Sequence, residues 1–271
     1  MSFRLAAVDL DGTLLNSAKV LSPRTAAAIA ACEAAGIRVV PATGRQLHGL
    51  LAITDPAGLL GLAVCANGAV GAELGTRRIL FEEMLAAEVQ LMLAEAMRAV
   101  LPDVRCASVR DGGMTFVPEF GYARLCKFAE HMRDPATMTE YPLDEVVAAP
   151  AAKFVVRHPT LSGEEVLAVL DTLELTGFNV TTSGAPFIEV MAPGVTKAAG
   201  LARLCADLGI AADEVIAFGD SRNDIEMLDW AGHGVAMADA MPEVLAVADE
   251  VTLGNNEDGV AVVLERLVAG P

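Results

Sequence analysis

The stretch Arg4-Leu5-Ala6-Ala7-Val8-Asp9-Leu10-Asp11-Gly12-Thr13 decides the fold. Leu5 to Val8 is continuously apolar rather than alternating, which is the pattern of a strand buried on both faces. The acids and Gly12 that follow mark its entry into a loop. Ser22 then stands as an N-cap with Pro23 in the first helical position, the Ala-rich run to Ala35 is helical, and Gly36 closes it. Ile37 to Ala42 reads as a second buried strand stopped by Thr43-Gly44, and Leu62 to Ala66 as a third stopped by Asn67-Gly68. Strand, helix, strand with unbroken apolar strands predicts an α/β fold with a parallel sheet covered on both faces.

The last third of the chain repeats this rhythm. Helices are expected over 196–208, 224–230 and 257–268, with strands at 215–218 and 234–237. The middle, from about Met84 to Glu189, is different. It combines helices at 86–100 and 163–175 with strand-like runs at 153–157, 178–182 and 187–191. Two halves of one α/β sheet interrupted by an α+β insertion is the most economical reading. No internal repeat is visible.

The 271 residues are 54% hydrophobic but only 4% aromatic, which excludes a disordered or fibrous chain. Acids outnumber Lys and Arg by 36 to 19, for a net charge of −17. That field repels nucleic acid and anionic membrane surfaces, so neither is an expected partner. No apolar run has the length of a spanning helix, and Asp9 falls where a secretion signal would stay apolar; the expected location is cytoplasmic. The five cysteines form no C-x-x-C pair and read as buried thiols. The oligomeric state is not legible.

The unusual polar residues collect just past strand ends: Asp9 and Asp11; Thr43, Gly44 and Arg45; Asn67-Gly68; Asp220, Asn223 and Asp224. In open α/β sheets the ligand crevice lies outside those ends. Asp9 and Asp11, two apart on a strand, can face one way, and a divalent cation relieves the repulsion between them. Oxygen-only donors favour Mg²⁺; an Asx turn capping the strand is the alternative. Thr43-Gly44-Arg45 makes either a small anion nest or an ordinary turn. Lys197 is either a surface lysine or a cation aimed at an anionic group. Residues 219–224 supply acids to a ligand or merely cap a helix. Neither a Walker A sequence nor a G-x-S-x-G elbow is present. The four histidines lack ligand spacing and take structural or surface roles by default.

Taken in order, Asp9-Leu10-Asp11-Gly12-Thr13, Ala42-Thr43-Gly44-Arg45, Lys197 and Gly219-Asp220-Ser221-Arg222-Asn223-Asp224 resemble the four motifs of the haloacid dehalogenase superfamily. The Cof-type, sugar-phosphatase-like branch is the nearest. The resemblance spans nearly the whole chain. It implies a Rossmann-like parallel-sheet core at 1–83 and 190–271 with an α+β cap inserted at 84–189. It also implies a Mg²⁺-dependent phosphatase of a small phosphorylated metabolite, such as a sugar phosphate or phosphorylated cofactor. By resemblance Asp9 is the nucleophile and Asp11 the acid and base. Mg²⁺ sits on the Asp9 carboxylate, the Asp11 backbone carbonyl and Asp220, with Asp224 in support. Thr43, Gly44, Lys197 and Asn223 hold the phosphoryl oxygens, and Arg45 faces the cap. A phosphomutase and a non-catalytic phospho-ligand binder are the competing expectations. Ala238-Asp239 replaces the branch's usual Gly-Asn. Within the insertion Arg110, Asp111, Tyr122 and Arg124 are candidates to read the substrate, or solvated surface.

Overall fold

The computed structural model describes residues 3–182 and 185–270; Met1, Ser2, Ser183, Gly184 and Pro271 lie outside it. The chain opens with β1 (Leu5–Val8), α1 (Pro23–Ala34), β2 (Arg38–Pro41), α2 (Leu47–Thr54) and β3 (Leu62–Cys65). The hairpin β4 (Val70–Glu73) and β5 (Arg78–Glu82) follows, then α3 (Ala87–Val100), β6 (Arg105–Arg110) and β7 (Thr115–Pro118). Next come the short α4 (Phe128–His131) and α5 (Leu143–Val146), β8 (Lys153–Arg157), α6 (Gly163–Asp171), β9 (Asn179–Thr181) and β10 (Ile188–Met191). The chain ends with α7 (Lys197–Leu208), β11 (Val215–Gly219), α8 (Ile225–Trp230), β12 (His233–Ala236), α9 (Pro242–Leu245), β13 (Glu250–Val251) and α10 (Gly259–Ala269).

Five strands form a parallel sheet in the order β13-β12-β11-β1-β2, so its two halves come from opposite ends of the chain. Successive side chains of β1 point to opposite faces, and Leu5, Ala6, Ala7 and Val8 are all fully buried; both faces are therefore covered. Helix α1 packs on α10, and α7 on α8. The expected N-cap is real: the Ser22 hydroxyl accepts from the Thr25 amide, with Pro23 opening the helix.

The strand at 62–66 is placed differently from expectation. β3 pairs antiparallel with β4 in a separate three-stranded sheet. It still touches the main sheet beyond the end of β2, where Thr43 N donates to Val64 O (2.9 Å) and Ala66 N to Arg45 O (2.9 Å). Pro41 stands at the end of β2 and lacks an amide hydrogen, so this ladder starts only beyond it.

Strands from the middle of the chain build a second, antiparallel sheet in the order β7-β6-β8-β10-β9. Its apolar cluster, including Leu93, Met97, Phe154, Val166 and Ile188, is separate from that of the parallel sheet. The five cysteines are free thiols, four of them buried. No helix among the described residues is long and apolar enough to cross a membrane.

Candidate active site

The ends of β1, β2, β3 and β11 meet at one edge. Asp9 continues β1, its amide bonded to Phe218 O at 3.0 Å. Lys197 opens α7, whose N-cap Thr196 accepts from the Ala199 amide. Asp220 and Asp224 flank a single helical turn after β11, held because Asp224 Oδ2 accepts the amides of Asp220 and Ser221, both at 3.0 Å. The capping reading of 219–224 therefore holds for Asp224.

At the centre lies the Lys197 ammonium, only 1% exposed, so the surface-lysine alternative is excluded. It donates to Asp9 Oδ1 (2.5 Å) and Asp224 Oδ1 (2.6 Å). Asp220 accepts from the hydroxyls of Thr13 (2.8 Å) and Ser221 (2.9 Å). Ligand oxygens of Asp9, Asp220 and Asp224 lie within 4.8 Å of one another. Three carboxylates thus face one ammonium. Burial, with the charges of Asp224 and Asp220, pushes the Asp9 carboxyl well above its ordinary range although Lys197 opposes this. Burial raises Asp220 as well. A dry cluster of oxygen donors with surplus negative charge fits a hard divalent cation.

Asp11 is in different surroundings. Its carboxylate turns from the cluster and takes two bonds from Arg45, Nε at 2.5 Å and Nη2 at 2.8 Å, and one from Lys19 at 2.9 Å. Burial alone would raise this carboxyl, but Arg45 and Lys19 hold it at about 2. Arg45 is thus turned inward onto Asp11.

These groups floor a cavity of about 570 Å³. Asp9, Asp11, Thr43, Gly44, Arg45 and Asn223 line it, whereas Lys197, Asp220 and Asp224 stand behind the floor. The facing wall comes from the middle of the chain, with Phe128, His131, Met132 and Phe187. His131 stacks on Phe187 (centroids 5.0 Å apart) and shares a hydrogen bond with the Tyr122 hydroxyl.

None of Arg110, Asp111, Tyr122 and Arg124 lines this cavity. Tyr122 is fully buried and Arg110 is spent on the Val146 carbonyl. Asp239 is exposed and away from it. Sequence reasoning missed Lys153 and Glu189, both of which line the cavity. The signal at Glu189 was a charge inside an otherwise apolar strand; Lys153, at the start of β8, offered only a charge next to an apolar run. A second cluster, Cys126, Glu130 and His131, is also close enough to share an ion. The Arg157 guanidinium already bonds both Glu130 and Cys126, which disfavours a cation there.

Comparison with known proteins places this arrangement. The 5-amino-6-(5-phospho-D-ribitylamino)uracil phosphatase YcsE of Bacillus subtilis is 29% identical, covering 99% of this chain and 97% of its own. A Haemophilus influenzae protein provisionally named a phosphatase is 30% identical over 98% of both chains. A solved haloacid dehalogenase-like hydrolase from Bacteroides thetaiotaomicron superimposes with a TM-score of 0.79 at 29% identity, covering 98% of this chain and 100% of that one. The family model for haloacid dehalogenase-like hydrolases matches residues 6–264. With four strand ends meeting at one acidic crevice, the chain belongs to the haloacid dehalogenase-like hydrolase family.

Proposed function

We propose that this hydrolase is a Mg²⁺-dependent phosphatase of a small phosphorylated metabolite, a sugar phosphate or a phosphorylated cofactor, and that it works through an aspartyl-phosphate on Asp9. The observation that carries the reading is the placing of Asp9: at the cavity floor, backed by Lys197 and grouped with two further carboxylates. Residues 1–83 and 190–271 then act as the core and 84–189 as a cap over the cavity, except that Val190 and Met191, the last two residues of β10, stay paired in the antiparallel sheet of the cap.

Asp9 attacks phosphorus, the bond from phosphorus to the leaving oxygen breaks, and that oxygen takes a proton from Asp11. Water next attacks the phosphorus, passing its proton to Asp11, and the Asp9 carboxylate is released. In the resting chain Asp11 is held ionised by Arg45 and Lys19. The acid role therefore requires both cations to turn to the incoming phosphoryl group, which matches their place on the cavity wall. Thr43, the Gly44 amide and Asn223 meet the phosphoryl oxygens, and Lys197 balances charge from behind Asp9. Asp9, Asp220 and the Asp11 carbonyl would hold Mg²⁺, supported by Asp224. When bound, the ion would screen the carboxylates from the phosphate and polarise the phosphoryl group.

The wall of Phe128, His131 and Phe187 suits a leaving group with a planar ring. The name of the Bacillus relative describes such a substrate, a uracil ring on a phosphorylated ribityl chain. The test is phosphate release from a panel of sugar phosphates and ring-bearing polyol phosphates, with Mg²⁺ or EDTA, for wild type and Asp9→Asn. Metal-dependent release that vanishes in the variant is expected. Release that persists in Asp9→Asn rejects the covalent route. No release from any member by folded, Mg²⁺-loaded protein rejects the phosphatase in favour of a mutase or a binding protein.

A further inference from the structure

Lys153, Glu189 and Asn67 are buried against the floor of the cavity at 3%, 3% and 1% exposure, yet none is one of the reacting acids. Lys153 and Glu189 belong to β8 and β10, which pair in the antiparallel sheet. The groups they reach belong to the loops after β2 and β3. Lys153 Nζ donates to Gly44 O (2.5 Å) and to Glu189 Oε1. Glu189 Oε2 accepts from Asn67 Nδ2 (3.1 Å), and Asn67 Oδ1 accepts from Asn223 Nδ2 (2.9 Å). An unbroken chain of hydrogen bonds therefore runs from the antiparallel sheet to the Asn223 carboxamide.

Two features show that the chain is built for position. Ala66 and Asn67 both have left-handed backbones, at φ +50° and +56°; asparagine adopts this region more readily than other L residues, but at Ala66 it costs about 1–2 kcal/mol. In addition, a buried ion pair is weak support for stability, because desolvation offsets most of its Coulomb gain. What it supplies here is direction. An ammonium only donates and a carboxylate only accepts. Glu189 accordingly forces Asn67 to present its nitrogen on one side and its oxygen on the other. That oxygen in turn forces Asn223 to present its nitrogen, whose second hydrogen remains to be given.

We propose that Lys153 and Glu189 are positioning residues: Glu189, through Asn67, fixes the Asn223 carboxamide as a donor to the phosphoryl group, and Lys153, through the Gly44 carbonyl, anchors the loop that carries the Gly44 amide. The inserted sheet thereby completes a pocket whose donors lie on the core. This rests on the phosphatase reading for its substrate, but not for its ligand, which is phosphate itself. Glu189→Gln is nearly isosteric and tests the direction of the chain. Lys153 keeps the Gln oxygen, so the Gln nitrogen meets Asn67, Asn67 flips, and Asn223 then turns its oxygen where its donor stood.

Turnover of p-nitrophenyl phosphate and inhibition by orthophosphate are measured for wild type, Glu189→Gln, Asn223→Ala and the double variant. Glu189→Gln is expected to raise both KM and the orthophosphate inhibition constant about tenfold, or about 1.4 kcal/mol, with kcat changed less than about threefold. In the Asn223→Ala background the same substitution should cost less than about twofold, because the chain ends there. Lys153→Arg should retain phosphate affinity that Lys153→Met loses. Equal losses in both backgrounds, or unchanged phosphate inhibition in folded Glu189→Gln, would overturn the proposal. Should wild type hydrolyse nothing, calorimetric titration of orthophosphate into the same four proteins reads the same coupling; its absence there also overturns the proposal.

Discussion

Asp9 and Asp11 are two residues apart on one strand end, and their surroundings give them opposite electrostatics. Asp9 is dry and crowded by acids, so its carboxyl is raised; Asp11 is clamped by Arg45 and Lys19 and titrates near 2. The spacing told us that the two acids share a crevice. It could not show that one would face a lysine and the other an arginine, because those partners lie 188 and 34 residues away. His131 shows the same limit from the other side. Given a bland role by default, it lies in the cavity wall, where burial and the charges of Lys153, Arg157 and Arg133 push it down to about 3. The unfolded chain protonates this group near pH 6.5, whereas the folded chain keeps it neutral. Its contribution to stability is therefore complete above pH 6.5 and is lost as pH falls towards 3. We expect wild type to lose about 2 kcal/mol more than His131→Gln between pH 8 and pH 5 in urea unfolding. Parallel pH profiles of the two proteins would contradict this.

Among the elements, the parallel strands that deliver the acids were the most legible, since a buried parallel strand is a continuous apolar run and the turn after it needs Gly, Asp or Asn. The hairpin β4–β5, the pair β6–β7 and helix α2 were not read. Their strands mix polar residues such as Ser108 and Glu73 with apolar ones, which blurs the pattern even though β4–β5 and β6–β7 pair locally and only β6 also pairs with the distant β8. The turn at Asn67-Gly68 was recognised as the end of a strand, but its tertiary duty was not. Gly68 has φ +103°, and a Cβ there would lie 1.9 Å from the Thr196 carbonyl at the start of α7. Gly68→Ala should thus displace the start of α7, and Lys197 with it, at a cost of about 3 kcal/mol. A urea midpoint within experimental error of wild type would contradict so tight a packing of the turn after β3 on the start of α7.

At the scale of the whole molecule, the net charge of −17 makes local compensation necessary for an anionic substrate. The cavity supplies it with Lys19 and Arg45, whose partner in the resting chain is Asp11, while Lys153 is already paired with Glu189. The remaining imbalance, three carboxylates against Lys197, predicts that Mg²⁺ stabilises the folded chain. At about 100 times its dissociation constant the gain is about 2.7 kcal/mol, read as a rise in Tm. Asp220→Asn should shrink that rise, and an equal rise in the variant would place the ion elsewhere. The central claim is the covalent step at Asp9. It is tested most directly by rapid acid quench of a phosphoryl-labelled substrate turned over with Mg²⁺, followed by peptide mapping. The account predicts label on the peptide containing Asp9, released by hydroxylamine and absent from Asp9→Asn. Phosphate formed in the first turnover with no labelled peptide at any quench time would contradict it.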